Sequence, residues 1–257
     1  FRNLISVGAK PIAITNCLNF GNPEKKEIMG QFVQTIRGMQ IASKKLSLPI
    51  VSGNVSFYNE TNNKSIPPTP QIGAVGVITD YRKVVSLSSF SNQDNLYIIG
   101  ETKGHLSASA YERTMFDFNK TKKYSIPPKT NLDNEIKVAN IILNLIKKSL
   151  ITACHDVSDG GLLVSILEMC LAKGTGFNFL NLPKNHKTLF GEDQSRYLIA
   201  IKEANKAYVD KFLKSNNIYF RNYGKFTNKN QILNFPDKSS IKLDNIRYIR
   251  KLWENKV

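Results

Sequence analysis

The chain has 257 residues, with 36 Lys and Arg against 20 Asp and Glu, a formal charge of +16 and a pI of about 9.7. At 41% hydrophobic, 10% aromatic and 22% charged residues it falls inside the globular range and outside disordered, collagen-like and coiled-coil compositions. It holds no uninterrupted apolar run of about 18 residues and no basic-then-apolar leader, which points to a soluble cytoplasmic protein with no membrane partner.

The chain opens on Phe1, and Ile5, Val7 and Ala9 already read as an element in progress, so the expectation is a fragment of a longer protein. Residues 10–14 read as a buried strand running into Asn19, Phe20, Gly21, Asn22 and Pro23. Asn22 as N-cap, Pro23 at the first helical position, and Glu24 and Glu27 in the first turn predict a helix over 23–46. Ile28, Phe32, Val33, Ile36, Met39 and Ala42 recur at helical spacing and give it a core-facing side. A strand follows at 49–58, then a turn-rich loop at 60–70 that can continue neither helix nor central strand, then a strand at 72–79. The polar run SLSSFSNQD at 86–94 reads as the junction between two domains, 1–88 and 89–257.

Past the junction the pattern predicts a strand at 95–100, a short helix at 107–115, a basic proline-containing loop at 120–130, and a helix over about 133–148 capped by Asp133. A strand at 150–154 ends at His155 and Asp156, and a helix at 160–173 follows a glycine turn. Strands near 176–180, 196–202, 218–224 and 231–235, a helix near 203–215 and a closing amphipathic helix complete the chain. Interleaved strands and helices without a repeat predict an α+β or mixed α/β fold. Cys17, Cys154 and Cys170 are odd in number and form no C-x-x-C pair, so they read as buried free thiols rather than a disulfide framework or zinc site. His105, His155 and His186 have no metal-like spacing.

Neither a G-x-x-x-x-G-K-[ST] loop nor a G-x-G-x-x-G turn is present. Three clusters of small polar residues stand instead where strands end, the usual place for ligands in open α/β sheets: 15–23, 52–56 and 155–161. In an extended segment Asn54 and Ser56 share one face, about 6–7 Å apart, a pair of oxygens suited to Mg²⁺ and phosphate. Gly53 would let a nucleotide approach the backbone; the alternative is a β-bulge at Gly53. Asp156 and Ser158 precede a Gly-Gly turn into a helix, which suits Mg²⁺-phosphate or equally an ordinary cap by Ser158 or Asp159. The stretch 190–197 (FGEDQSRY) reads as a solvated, salt-bridging turn.

Four stretches then carry a family resemblance: PIAITNCLNFGNPEKKEIMGQF, PIVSGNVSFYNETNNKSIPPTPQIGAVG, HDVSDGGLLVSILEM and LFGEDQSRYLI. In order and in text the chain resembles the synthetase subunit of phosphoribosylformylglycinamidine synthase, within the aminoimidazole ribonucleotide synthetase-like superfamily. The resemblance spans essentially the whole chain. It implies the end of a second N-type half followed by a complete second C-type half. It also implies the reaction in which ATP phosphorylates the amide oxygen of formylglycinamide ribonucleotide and ammonia displaces the phosphate, giving the amidine, ADP and phosphate in purine biosynthesis.

The resemblance further implies ATP and Mg²⁺ as cofactors. As partners it implies the N-terminal half of the same subunit, a glutaminase subunit and a small bridging subunit. Residue by residue, Gly53 matches an ATP-contacting glycine, Asn54 a Mg²⁺ ligand and Ser56 a substrate contact. Asn16 stands where the family usually has an ATP-contacting Asp. Asp156 and Ser158 match positions that hold a structural nucleotide and its Mg²⁺ at a second site in the large single-chain relatives. No catalytic residue is expected in this portion, because the family's catalytic histidines lie in the first copy.

Two other classes compete. A basic nucleic-acid-binding module is motivated by the +16 charge and by aromatic residues near Lys and Arg at 219–223 and 246–253, but the Lys are spread along the whole chain and no recognised binding motif occurs, so no nucleic acid is expected. A related ATP-using kinase or selenophosphate synthetase is disfavoured by SGNVSFYNET. A non-catalytic half kept for structure is the remaining alternative.

Overall fold

The structure is a computed structural model that describes residues 1–116, 125–181, 183, 185–228 and 232–242. The chain divides into two compact units. The first comprises Phe1, Asn3–Ile5 and Ala9–Thr79; the second comprises Arg2, Ser6–Gly8 and the chain from Asp80 onward.

The first unit is built on a three-stranded sheet in the order β2-β1-β5, from β1 (Lys10–Asn19), β2 (Ile50–Ser56) and β5 (Thr69–Val77). β1 runs parallel to β2 and antiparallel to β5. The 21-residue helix α2 (Lys26–Leu46) makes the β1-to-β2 crossover that parallel strands require. Leu18, Phe20 and Ile28 form a small buried core with Phe32, Met39 and Phe57 against it. Phe20, Phe32 and Phe57 meet with centroids 5.0–6.4 Å apart, in edge or tilted geometry.

Three expectations for this unit are corrected. The helix starts at Lys26, because the Asn22 side chain accepts from the Glu24 N–H and its carbonyl from the Lys25 N–H, closing a turn around Pro23. Its apolar stripe is mostly uncovered: only Ile28 is buried, while Val33, Ile36 and Ile41 are exposed, because the three-stranded sheet has core enough only for Ile28, Phe32 and Met39. The 60–70 loop contains a two-residue ladder, β3 (Glu60–Thr61) with β4 (Lys64–Ser65). Asn62 and Asn63 turn between them, both left-handed at φ 49° and 61°, a conformation Asn tolerates well. β5 then begins at Thr69, with Pro70 admitted because β5 is an edge strand.

The second unit carries a seven-stranded sheet in the order β12-β11-β8-β10-β6-β9-β7. Its strands are β6 (Asn95–Ile99), β7 (Ala153–Asp156), β8 (Gly176–Phe179), β9 (Tyr197–Ile201), β10 (Phe220–Thr227), β11 (Ile232–Asn234) and β12 (Ser240–Lys242). Every residue of β6 and β9 is buried, so both faces of the sheet centre are covered. On one face Leu96, Ile98, Leu198 and Ala200 pack with Leu162, Ile166, Met169 and Cys170 of α5 (Gly161–Lys173). Alternation puts Tyr97, Ile99, Tyr197 and Ile199 on the other face, with α4 (Leu132–Lys147) and α7 (Lys206–Ser215). Burial first, then the nearby Asp210 of α7, pushes the Tyr97 phenol well above the ordinary range there.

Here too boundaries move. α4 is capped by Asn131, whose side chain accepts from the Asn134 N–H, not by Asp133. The short helix α3 (Ala110–Met115) starts behind its cap Ser109. β7 starts at Ala153, because left-handed Ser149 and the Leu150 N–H close the end of α4. A 3₁₀ turn, Glu203–Asn205, precedes α7. The closing amphipathic helix, the aromatic-basic stretch 246–253 and part of the 120–130 loop lie outside the described residues. None of the described helices is long and apolar enough to cross a membrane.

Candidate functional site

In the first unit the parallel register aligns Asn16 with Gly53, Cys17 with Asn54, and Asn19 with Ser56. Alternation therefore puts Asn16 and the bare face of Gly53 on one side of the sheet, and Cys17, Asn19, Asn54 and Ser56 on the other. An ideal Cβ on Gly53 would stand 2.5 Å from Asn16 Oδ1, so the space that Gly53 leaves open is taken by the Asn16 amide. The β1–β2 irregularity falls between Ile14 and Thr15, opposite Val51, rather than at Gly53. Asn54 Nδ2 lies 3.9 Å from Cys17 Sγ and Asn19 Nδ2 lies 3.5 Å from it. The Asn54 amide oxygen has no partner among the described residues.

The NFGNPE and YNET stretches are tied together by one carboxylate. Glu60 Oε1 accepts from the Asn22 N–H (3.1 Å), Lys25 Nζ (2.7 Å) and Ser65 Oγ (2.6 Å). Lys25 first, then Ser65 and the Asn22 amide, hold its pKa down at about 2. Asn59 Nδ2 donates to the carbonyls of Phe20 and Ser56 and to Ser56 Oγ, which fixes the end of β2 that carries Ser56.

In the second unit Asp156 and Ser158 do come together: Ser158 Oγ donates to Asp156 Oδ2 at 2.5 Å. His155 Nε2 lies 2.9 Å from Glu168 Oε2, and its Nδ1 lies 3.8 Å from Asp156 Oδ1. The capping alternative is not what forms. α5 follows left-handed Gly160 with no side-chain cap, and the Gly160 N–H goes instead to Glu192 Oε1 at 2.8 Å. Space is closed at both glycines: a Cβ on Gly160 would meet Val164 Cγ2 at 2.5 Å, and one on Gly161 the Gly191 carbonyl at 2.7 Å.

The 190–197 stretch is corrected most. Rather than a solvated turn it is an inward-facing knot. Asp193, 8% exposed, accepts from the backbone N–H groups of Lys103, Gly104 and His105. Glu192 Oε1 takes the N–H of Ala110 as well as that of Gly160. Arg196 is fully buried and donates to the carbonyls of Asp193 and Gly191 and to Thr102 Oγ1. Burial lowers its pKa to about 10, with Asp193 opposing, so it stays charged at neutral pH. The one sequence signal that could have exposed the knot is the Arg leading directly into the apolar run Tyr197–Ile201, where a solvated side chain has no outlet.

Among the described residues no group of three or more His, Cys, Asp or Glu could hold a metal ion. The Asn54 oxygen fits a lesser role, one neutral ligand to a Mg²⁺ whose remaining ligands are phosphate and water oxygens.

Family models match both parts: AIR synthase related protein, N-terminal domain, over residues 1–78, and AIR synthase related protein, C-terminal domain, over 93–232. The chain belongs to the AIR synthase related family. This family member is 43% identical over 256 residues to the phosphoribosylformylglycinamidine synthase subunit PurL of Pelagibacter ubique, covering 98% of the chain and 34% of that protein. It is 40% identical over 255 residues to the PurL of Bartonella bacilliformis, again 34% of the relative. The chain thus spans about a third of the curated relatives it matches. Among solved structures, PurLQS from Thermotoga maritima superposes with a TM-score of 0.69 at 14% identity, covering 94% of this chain and 39% of that one. The HypE–HypF complex gives 0.68 at 15%, covering 93% and 79%. These likenesses show the AIR synthase-like fold, an N domain followed by a C domain.

Proposed function

We propose that the chain is the second-copy portion of the synthetase subunit of phosphoribosylformylglycinamidine synthase, acting with the rest of that subunit in ATP-dependent conversion of formylglycinamide ribonucleotide to its amidine. The observation that carries this is 43% identity to a PurL subunit over 98% of the chain. Solved T. maritima PurL structures named as complexes with ATP and with FGAR share the fold and fit the same reading. Residues 1–88 are the end of the N-type half and 89–257 the C-type half. A glutaminase subunit and a small bridging subunit complete a cytoplasmic assembly.

In this reading Asn16 and Gly53 contact ATP, and Ser56, held by Asn59, contacts the ribonucleotide. Asn54 offers its uncommitted oxygen to Mg²⁺, which when bound neutralises charge on the transferring phosphate. Asn16 supplies an acceptor without charge, which weakens a charge-assisted bond by about 1 kcal/mol relative to Asp. Asp156 and Ser158 form the auxiliary nucleotide position. The test is Asn54→Leu in the full-length subunit, with ADP release measured on formylglycinamide ribonucleotide and ammonium. ADP release is expected to vanish with the fold intact; unchanged turnover rejects the role.

A further inference from the structure

A cavity of about 600 Å³ opens in the second unit, between the end of β6, the 103–105 loop, the start of α4, the 193–195 turn and residues 217–219. Its size is that of a small-molecule site, and it contains none of the residues assigned above to nucleotide, metal or substrate. The hydrogen-bonding character of its wall is lopsided. The Gln194 amide oxygen is committed to Arg2 Nη1 at 2.8 Å and the Asn131 oxygen to the Asn134 N–H at 3.0 Å. Neither amide nitrogen has a partner among the described residues, so each side chain has its N–H donors uncommitted while its oxygen already accepts one bond.

Lys103 and Lys129, both exposed lysines, also line the cavity. The acidic residues do not balance them. Both oxygens of Asp193 are taken by three backbone N–H groups, and the buried Arg196 guanidinium lies 4.0 Å away. Glu101 is 65% exposed and lies 3.6 Å from Lys103 Nζ, one carboxylate against two lysines. Val138 and Ile218, both buried, line the cavity beside these donors.

We propose that this cavity binds a small oxyanion, a phosphate or carboxylate group of a metabolite, through Gln194 Nε2, Asn131 Nδ2, Lys103 and Lys129. The free amide N–H groups are satisfied by water or by any ligand that brings acceptor oxygens, and the two lysines beside them favour a ligand whose oxygens are anionic. The site is independent of the ligase reading and stands whether or not that reading holds.

The experiment is a ¹H–¹⁵N titration of the chain with inorganic phosphate and, separately, with acetate. Saturable shifts confined to the side-chain amides of Gln194 and Asn131 and the backbone of 103–105 are expected below about 10 mM, as for a Kd of about 1 mM. The double variant Lys103→Ala/Lys129→Ala removes only wall side chains, so its spectrum elsewhere stays in place while affinity falls about tenfold. A response to phosphate alone supports a phosphorylated ligand, and one to acetate alone supports a carboxylate. Unsaturable shifts spread over the basic surface, or equal affinity in the double variant, overturn the proposal.

Discussion

The amide oxygen of Asn16 stands 2.5 Å from the point a Cβ on Gly53 would occupy, across the parallel β1–β2 pair. Gly53→Ala therefore forces the Asn16 side chain out of its place, at a cost of about 1–3 kcal/mol. Asn16→Gly added to it is expected to restore most of the loss. Urea denaturation of the two single variants and the double variant measures this; strictly additive losses would show that the amide is not the obstacle.

Glu192 joins two helix starts through one oxygen, taking the N–H of Ala110, the first residue of α3, and of Gly160, just ahead of α5. Glu192→Leu is expected to lose about 2–4 kcal/mol, since a hydrogen bond to a charged group contributes about 1.5–3. Glu192→Gln keeps an acceptor and loses about 1 kcal/mol or less. Denaturant midpoints decide it, and a Leu variant as stable as the parent would show that the bridge holds nothing.

The three thiols are unequal. Burial pushes Cys170 up to about 12 and Cys154 higher still, with Asp156 adding to the latter, whereas Cys17 is half-buried on the first unit's sheet. The thiolate is the reactive form, so the folded chain should release one equivalent of chromophore from Ellman's reagent and the urea-unfolded chain three. Cys17→Ser should abolish the native-state signal.

Glu60 gives the first unit an acid-sensitive contact. Its folded pKa, about 2, lies below the ordinary 4.5, so its contribution is fully present above the ordinary value and is lost as pH falls through about 2. Glu60→Gln is expected to flatten the decline in urea midpoint between pH 4.5 and 2 and to leave the curve unchanged in shape above it. Parallel curves for parent and variant throughout that window would remove Glu60 from the account.

Periodicity made most strands legible, because β6 and β9 are buried on both faces and read as continuous apolar runs. Helix starts were less so. Asn22, Asp133 and Asn131 are all good caps by type, and the choice among them is made by which backbone N–H the folded chain brings within reach, a fact absent from spacing. The polar clusters at strand ends pointed to Asn54, Ser56, Asp156 and Ser158. The knot at Glu192, Asp193 and Arg196 was hidden, because its partners at Lys103, Gly104, His105, Ala110 and Gly160 lie 32 to 90 residues away in sequence. Acidic residues beside an Arg look alike whether they face water or backbone amides.

Gly160 and Gly161 set a limit of another kind. Both are left-handed, at φ 78° and 72°, and both face a filled neighbourhood. Every missense change in a glycine codon adds a Cβ, so single-nucleotide substitution offers no tolerated alternative at either position. Exposed sites elsewhere can exchange one polar side chain for another and accumulate basic charge with little effect on folding. The Asp-Gly-Gly turn cannot drift in this way, and a library of random single variants of this chain should return these two positions empty.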